Sequence, residues 1–414
     1  SHQPWRVGLA AMSAAIIGAG IGGLASALAL HKAGVAAVVY EQAAALGEVG
    51  AGLSLTPNAV KALDWLGVGE RIRALADEPP QMLTCHYATG ETLVAFDRSD
   101  TVQRYGAPYL QMHRADLHRV LLDEWRRLSP DGVRSDRRLT SLEVNDSPNS
   151  PARLVFEDAA ANHHDLVATA VIAADGLKSR VRSQVFGATA PRFGGFVAWR
   201  GLVPLAALDG VPLSPGSKVF AGPGRLFVRY PVRRGGLMNY VAFARIEQWQ
   251  PEGWSQTGTV AEAAALLQGF HPEVHAILAA TPEGRCHKWG LFAREPLPEW
   301  TRGCIALLGD AAHPMMPWFG QGAASALEDA VVLGRCVMDA GTTADAPPIG
   351  VRMASAFRRY ERTRHARVTL IHHESAAGGE RLAGMQPERL RDQPVRNEDS
   401  LGLFSYDPVS ETLA

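Results

Sequence analysis

The chain begins with a pattern of apolar and small residues that predicts a β-α-β unit. Residues 15–17 are apolar and precede a glycine-rich turn, after which an Ala/Leu-rich stretch continues to Leu30. A second apolar run at 38–40 ends in an acid, Glu41. Short apolar runs on both sides of a longer Ala/Leu-rich segment are typical of two strands joined by a helix. We therefore predict a strand, a helix and a strand within residues 14–41.

The turn of this unit has the glycine spacing of a dinucleotide-binding fingerprint. Gly18, Gly20 and Gly23 form G-x-G-x-x-G, with Gly22 between the last two. The first glycine allows the tight turn, the second lets the backbone approach a pyrophosphate, and the third lets helix and strand pack closely. The helix N-terminus offers free N–H groups to phosphates. Glu41, after the second strand, is then expected to accept hydrogen bonds from a ribose.

Two other interpretations of the same stretch are less favourable. Residues 9–30 carry no charge, which also fits a membrane span, and Arg6 before them also fits a signal peptide. The glycines at fingerprint spacing would break a membrane helix, however. Residues 1–11 precede the predicted strand and are expected to form a disordered lead.

Helical and strand-like patterns alternate along the rest of the chain. Thr56 followed by Pro57 is a typical helix start, and the apolar stripe between Leu117 and Trp125 predicts a helix over 114–128. The other predicted elements are hairpin strands at 82–87 and 91–96, three strand-like runs between 139 and 174, an antiparallel sheet over 196–246, helices at 259–268 and 272–280, a strand at 285–293, and helices at about 321–340 and 351–374.

These elements predict an α/β fold with a Rossmann-like first domain built from discontinuous segments. A mostly antiparallel β domain is inserted into it, and a polar tail is expected to lie over the surface. The predicted boundaries are 12–75, 108–188 and 285–375 for the first domain, 76–107 and 189–284 for the inserted domain, and 376–414 for the tail.

Composition and charge exclude several classes of function. The 414 residues are 47% hydrophobic and 20% charged, and the formal net charge is −1, which gives no electrostatic footprint for nucleic acid or a membrane surface. The four cysteines are scattered without a C-x-x-C pair. This pattern argues against a disulfide framework or a metal site and favours the reducing cytoplasm.

Three further motifs follow predicted buried strands or open a helix. They are D-G-x-x-S-x-x-R at 175–182, the Gly-Asp turn at 309–310, and G-Q-G at 320–322. With the N-terminal fingerprint, this ordered set resembles the group A flavoprotein aromatic monooxygenases, the family of para-hydroxybenzoate hydroxylase. The salicylate and 3-hydroxybenzoate hydroxylases and the 6-hydroxynicotinate monooxygenases are most similar, and the resemblance spans roughly residues 13–410.

The resemblance implies a noncovalently bound FAD in the first domain and a substrate site in the inserted domain. A positive helix end at 320–322 would stabilise negative charge on a reduced flavin. Asp310 is expected to accept from the ribityl hydroxyls, and Arg114 to reach the phosphate–ribityl region. The expected cofactor-binding residues are Gly18, Gly20, Gly22, Gly23, Glu41, Ala51, Arg114, Leu139, Asp175, Asp310, Gly320 and Gly322.

The substrate side is expected to include a strand near residue 227. A period of two places Arg225, Phe227 and Arg229 on one face, and Leu226, Val228 and Tyr230 on the other. Related enzymes use histidine or tyrosine on this strand to orient the aromatic substrate, and arginine is expected to take that place here. Two guanidinium groups beside a phenylalanine suit a planar carboxylate, although surface arginines give the same pattern.

The remaining expected site residues come from other segments. The expected catalytic residues are Arg229, Arg225, Pro317 and His313, with Phe227, Arg200, Trp318 and Phe319 as the expected substrate-binding residues. Arg200 is the alternative anchor for a substrate anion. A structural role in its turn is the alternative for His313, and core packing is the alternative for Trp318.

The resemblance implies hydroxylation of a phenolic or heteroaromatic, carboxylate-bearing substrate through a C4a-hydroperoxyflavin. NADH or NADPH would be a transient co-substrate with O2, since no second dinucleotide fingerprint occurs, and the enzyme would be a monomer or homodimer. An epoxidase or N-hydroxylase on the same fold and a flavin-binding protein without turnover remain alternatives. A halogenase is disfavoured because W-x-W-x-I-P is absent.

Overall fold

A computed structural model describes residues 14–47, 51–144, 150–187, 190–247, 256–341, 347–392 and 397–414. The lead expected at 1–11 lies outside these residues. The strands are β1 (Ala14–Ile17), β2 (Ala37–Tyr40), β3 (Gly52–Leu55), β4 (Gln81–His86), β5 (Thr92–Asp97), β6 (Leu110–His113), β7 (Val133–Arg134), β8 (Arg138–Glu143), β9 (Ala152–Glu157), β10 (His163–Ala168), β11 (Ala170–Ala173), β12 (Arg192–Pro204), β13 (Ser217–Gly222), β14 (Arg225–Val232), β15 (Leu237–Arg245), β16 (Gln256–Thr257), β17 (His287–Ala293), β18 (Thr301–Arg302) and β19 (Ile305–Leu307). The helices are α1 (Ile21–Lys32), α2 (Pro57–Trp65), α3 (Gly69–Leu75), α4 (Thr101–Tyr105), α5 (Arg114–Leu128), α6 (Arg180–Phe186), α7 (Val260–Leu266), α8 (Pro272–Ala279), α9 (Gln321–Asp339) and α10 (Ile349–Leu382).

The predicted β-α-β unit forms the centre of a mostly parallel sheet. Its strand order is β18-β19-β11-β1-β2-β7, and β1 pairs in parallel with both β2 and β11. β19 pairs in parallel with β11. Because parallel strands end at the same edge of a sheet, the turns that follow β1, β11 and β19 meet there. These turns carry Gly18, Asp175 and Gly309.

Helices α1 and α9 pack closely over this sheet. A Cβ added at Gly334 of α9 would lie 2.9 Å from the Cβ of Ala29 in α1, and one added at Gly22 would lie 2.9 Å from Leu308. The two helices approach to this distance because glycine stands at these contacts. Their N-terminal ends are consequently held at the same edge as the three turns.

A second, mostly antiparallel sheet has the order β16-β17-β12-β15-β14-β13-β4-β5. One face is covered by α7 and α8 in a core that includes Phe227 and Tyr240, and the other contacts the first domain through residues such as Phe243 and Met316. β17 pairs with β12 in this sheet. β17 therefore belongs to the antiparallel sheet, although the prediction placed residues from 285 onward in the first domain. The apolar pattern of β17 predicts a strand but does not indicate which strand it pairs with.

The C-terminal part of the chain differs most from the prediction. Helix α10 continues to Leu382, where the sequence predicted a tail from 376. Gly378 and Gly379, which belong to the predicted tail, lie inside the helix and face Trp318. Farther on, Leu403 and Phe404 are buried, so this segment packs into the protein instead of lying over its surface.

No helix among the described residues has the length and apolar character needed to cross a membrane. All four cysteines lie in the described part of the chain, where each is buried and unpaired.

The packing of Trp318 on α10 predicts the sign of a stability change. A Cβ at Gly379 would lie 2.8 Å from Cε2 of Trp318. Alanine favours a helix over glycine by about 1 kcal/mol, whereas overpacking costs about 1–3 kcal/mol, so Gly379→Ala should lower the melting temperature. Ala377→Gly, at an exposed position of the same helix, measures the difference in helix propensity between alanine and glycine without a change in packing. If Gly379→Ala instead stabilises by the amount that Ala377→Gly loses, the contact with Trp318 is refuted.

Candidate active site

A cavity of about 440 Å³ lies between the parallel sheet and the β domain. This volume falls in the range of small-molecule binding sites. Its walls include both helix N-termini and the inward face of the antiparallel sheet. Of the residues expected to bind cofactor, the cavity is lined by Gly20, Gly22, Arg114, Asp310, Gly320 and Gly322.

Bare backbone surrounds one end of the cavity. At Gly20, Gly176 and Gly322, an added Cβ would meet no atom of the described residues within 4 Å, and all three residues line the cavity. Such exposed backbone allows a ligand to approach the main chain closely. Neither α1 nor α9 has a side-chain N-cap hydrogen bond or an acid in its first turn, so their first N–H groups are available to negative charge. The described residues thus fit the pyrophosphate and ring of a flavin dinucleotide.

Asp310 and Arg114 bring opposite charges to this end. Asp310 follows β19 in a short 3₁₀ turn and is open to the cavity. Burial raises the pKa of Asp310, while Arg114 and His313 act in the opposite direction. A carboxylate here can accept hydrogen bonds from hydroxyl groups, and Arg114 can bind phosphate.

Other residues of the fingerprint shape the site from outside the cavity. Gly18 has a φ of +99°, and a Cβ at Gly23 would lie 1.9 Å from the carbonyl oxygen of Gly18, so both positions require glycine. Glu41 accepts N–H hydrogen bonds from Ala19 at 2.8 Å and Ala43 at 2.9 Å. Its carboxylate therefore holds the glycine turn, and it does not line the described cavity.

The side chains of three further expected cofactor residues do not line the cavity. Ala51 accepts the N–H of Arg114 at 2.7 Å. Asp175 accepts the N–H of Arg180 at 2.8 Å at the start of α6, so Gly176, next to it, lines the cavity in its place. Leu139 is buried in the core of the first domain and lies outside the residues that line this cavity, so its expected contact with the cofactor stays a prediction.

A buried ionic network lies beneath the cofactor end. Asp329 of α9 accepts from His313 at 2.6 Å, from the N–H of Gly309 at 3.1 Å and from Arg364 at 2.7 Å. Burial alone would raise the pKa of Asp329, but His313 and Arg364 outweigh it and lower the pKa to about 2. His313 is 1% exposed and does not line the cavity, so its expected catalytic role is replaced by a structural one.

The neighbouring carboxylate, Glu328, extends this network to other elements. It pairs with Arg364 at 2.7 Å and Arg367 at 2.8 Å and accepts from Asn58 of α2 at 2.6 Å. Asn58 also donates to Gln321, the first residue of α9, at 3.1 Å. The two carboxylates thus fix the Gly-Asp turn and the helix start that faces the flavin site.

The arginine face of β14 points away from the cavity. Arg229 is 1% exposed and donates to Glu273 of α8 at 2.7 Å and to the carbonyl of Ser214 at 2.6 Å. Arg225 donates to the carbonyl of Leu266 at 2.6 Å, and Phe227 is buried in the core with α7 and α8. The expectation that these three residues line the substrate site is wrong, because the buried acid that neutralises Arg229 lies on the opposite side of the sheet.

The other face of the same strand lines the cavity instead. Leu226, Val228 and Tyr230 all contribute to it. Tyr230 is one of the two residue types expected on this strand from the resemblance. It shares its face with the apolar residues Leu226 and Val228, and this apolar character could have indicated the face that lines the cavity. Sequence reasoning also missed the lining residues Met82, Tyr109, Gln111, Val241, Phe243, Met316 and Glu398.

Arg200 reaches the cavity from β12. Its Nε is buried and has no hydrogen-bond partner in the described part of the chain, and its guanidinium lies 4.5 Å from the ring centre of Trp289. Burial lowers the pKa of Arg200 to about 10, with Arg114 acting in the same direction and Tyr230 opposing it. The group is therefore a cation at neutral pH with unused hydrogen-bonding capacity.

Pro317, Trp318 and Phe319 also line the cavity, as expected. The ring of Trp318 packs against Phe196 and Phe243, each at 4.9 Å between ring centres, so it serves both the wall and the adjoining core. These residues give the part of the cavity beside the start of α9 an apolar wall.

The corrected position of Arg229 predicts a stability defect without a substrate defect. Arg229→Met leaves Glu273 buried without its cation, which typically costs about 3–5 kcal/mol. Urea unfolding should show this loss, and the double variant Arg229→Met/Glu273→Gln should recover most of it. Unchanged stability together with a raised KM for substrate would indicate that Arg229 lies in the active site after all.

The open backbone at Gly20 predicts which substitutions would prevent FAD from binding. Gly20→Val fills the open backbone with a branched side chain and should yield a folded protein without FAD, whereas Gly47→Val, at an open position away from the cavity, should retain it. Asp310→Ala should weaken FAD about 10- to 150-fold, the equivalent of about 1.5–3 kcal/mol for a hydrogen bond to a charged group. Absorbance at flavin wavelengths after gel filtration measures both. A Gly20→Val protein with a full complement of FAD would contradict the placement.

Comparison with known proteins identifies the family. The model of the FAD binding domain family matches residues 11–372. A 3-amino-4-hydroxybenzoate 2-monooxygenase of Streptomyces platensis is 35% identical, over 95% of this chain and 94% of its own. A 6-hydroxynicotinate 3-monooxygenase of Bordetella bronchiseptica is 34% identical, over 86% of this chain and 88% of its own. Klebsiella pneumoniae HpxO, solved with FAD and uric acid, superposes with a TM-score of 0.78 at 28% identity over 95% of each chain. The chain belongs to the FAD-dependent aromatic monooxygenases.

Proposed function

We propose that this enzyme uses NADH or NADPH and O2 to hydroxylate a phenolic or heteroaromatic acid whose carboxylate is bound by Arg200. The observation that carries the proposal is the cation of Arg200, which lines the cavity and whose buried Nε has no hydrogen-bond partner among the described residues. A buried donor without a partner is costly, and a carboxylate matches the planar guanidinium. The hydroxybenzoate and hydroxynicotinate named for the relatives have this anionic group.

Tyr230 lies beside Arg200 and supplies a neutral donor. Burial raises the pKa of Tyr230 above its ordinary value of 10, with Arg200 opposing this and Tyr109 adding to it. The hydroxyl therefore keeps its proton at neutral pH and can donate a hydrogen bond to the oxygen substituent of the ring. Such a bond would fix the rotation of the substrate about the axis set by Arg200.

Apolar residues complete the reaction space. Val228, Val241, Phe243 and Pro317 line the cavity between the two domains. They exclude water from the substrate and strengthen the electrostatic contacts of Arg200. Bound FAD supplies the transfer of one oxygen atom from O2 to the ring after its reduction by NAD(P)H. The single dinucleotide fingerprint supports a nicotinamide that docks only transiently.

Arg200→Met tests the anchor. Loss of a hydrogen-bonded charge partner costs about 1.5–3 kcal/mol, so the affinity for an aromatic acid should fall about 10- to 150-fold while FAD content stays unchanged. The matched control is Arg225→Met, on the same sheet but the opposite face. The measurements are flavin difference spectra on binding and NADH oxidation stimulated by hydroxylated aromatic acids.

Two results would contradict the proposal. Unchanged affinity in Arg200→Met would remove this residue from substrate binding. An equal rate of NADH oxidation with and without each aromatic acid, with no oxygenated product, would indicate an oxidase or a flavoprotein without turnover.

A further inference from the structure

The C-terminal segment, residues 397–406, carries a carboxylate into the cavity. Glu398 lines the cavity, and its side chain is 14% exposed. Its carbonyl accepts the N–H of Leu403 at 2.8 Å, and Leu403 and Phe404 are buried behind it. The segment thus forms a turn with an apolar base and presents Glu398 from its other side.

This segment is fixed to the body of the enzyme at several points. Arg367 of α10 donates to the carbonyl of Leu403 at 3.2 Å. Asp399 pairs with Arg104 of α4 at 3.1 Å. The guanidinium of Arg367 also lies 3.8 Å from the ring centre of Tyr406. The position of Glu398 is therefore set by packing and ion pairs on both sides of it.

The carboxylate of Glu398 retains acceptor capacity. The nearest cation described is Arg98, whose Nη2 lies 4.0 Å away, beyond hydrogen-bond distance. Arg98 is 4% exposed, its guanidinium lies 5.1 Å and 4.9 Å from the ring centres of Tyr109 and Phe404, and its Nε has no hydrogen-bond partner among the described residues. Burial raises the pKa of Glu398, whereas Arg98 and a hydrogen bond from the backbone N–H of Glu398 itself oppose this. Because a carboxylate has about four acceptor sites, Glu398 can accept a further hydrogen bond beside these contacts.

Strand order places Arg200 and Glu398 on different sides of the cavity. Both residues line it. Arg200 lies on β12, whereas Arg98, which faces Glu398, follows β5 at an edge of the same sheet, and four strands separate β12 from β5. The hydroxyl of Tyr109, which also lines the cavity, donates to Ser54 at 2.8 Å. The cavity therefore has a cation on its β12 side and an acid on its β5 side.

We propose that Glu398 is a specificity-determining residue that accepts a hydrogen bond from an amino group or ring N–H of the substrate, on the side of the ring remote from its carboxylate. The proposal rests on the proposed function, since it takes Arg200 as the carboxylate anchor. A ring with both groups would satisfy both ends of the cavity. A ring without the donor would desolvate the Glu398 carboxylate without adding a hydrogen bond to it.

Binding of two acids to the FAD-loaded enzyme tests this assignment. The probes are an aminohydroxybenzoate and the hydroxybenzoate that lacks only its amino group, and the measurement is the ratio of their dissociation constants from flavin difference spectra. In the native enzyme the amino compound should bind about 10- to 150-fold more tightly, as expected for a hydrogen bond to a charged group. Glu398→Gln should reduce this preference to about threefold or less. Asp399→Asn removes the adjacent carboxylate that faces Arg104 and should leave the ratio unchanged.

Folding and the proposed function are read separately. FAD content and melting temperature report folding, and Glu398→Asp, which keeps the charge but withdraws it by one methylene, provides a second variant with an intermediate ratio. An equal preference in the native enzyme and in Glu398→Gln overturns the proposal, as does the absence of any preference in the native enzyme. The proposed function is tested separately, by NADH oxidation stimulated by aromatic acids and by product formation. The binding ratios can be measured without turnover.

Discussion

Two adjacent carboxylates on α9, Glu328 and Asp329, hold together the elements that surround the cofactor end of the cavity. Asp329 receives the N–H of Gly309 from the turn after β19, Glu328 receives Asn58 from α2, and both pair with Arg364 of α10. Removing one partner from such a buried network typically costs about 3–5 kcal/mol. The network thus fixes the turn and the helix start that must face a flavin, and its charges are satisfied without contact with any ligand.

The two faces of the antiparallel sheet have different roles. The face toward α7 and α8 buries an ion pair between Arg229 and Glu273, whereas on the face toward the cavity the Nε of Arg200 has no hydrogen-bond partner among the described residues. The first pair contributes to the structure, and the second cation is the one proposed to bind the substrate. A buried arginine on a strand is therefore a candidate for ligand binding only where no protein acceptor already pairs with it.

The cofactor end could be predicted from sequence because its signals are local. A few neighbouring residues determine the geometry there. This holds for the fingerprint with Gly18, Gly20 and Gly23 and for the turns that follow two buried strands. The period of β14 was also predicted correctly, but its cavity face was not, since the acid that pairs with Arg229 comes 44 residues later. The predicted tail began before Gly378 and Gly379, whose place in α10 depends on a tertiary contact with Trp318. For the same reason no local signal pointed to the C-terminal segment as a wall of the cavity.

The proposed function requires the two domains to hold an aromatic acid where FAD can transfer one atom of O2 to its ring. Turnover under ¹⁸O2, followed by mass spectrometry of the product and a parallel count of NAD(P)H consumed, is the sharpest test of it. One ¹⁸O atom should appear in each product molecule for each NAD(P)H oxidised, with no label from H2¹⁸O. Label from water, or hydrogen peroxide equal to the NAD(P)H consumed with every aromatic acid, would rule this function out.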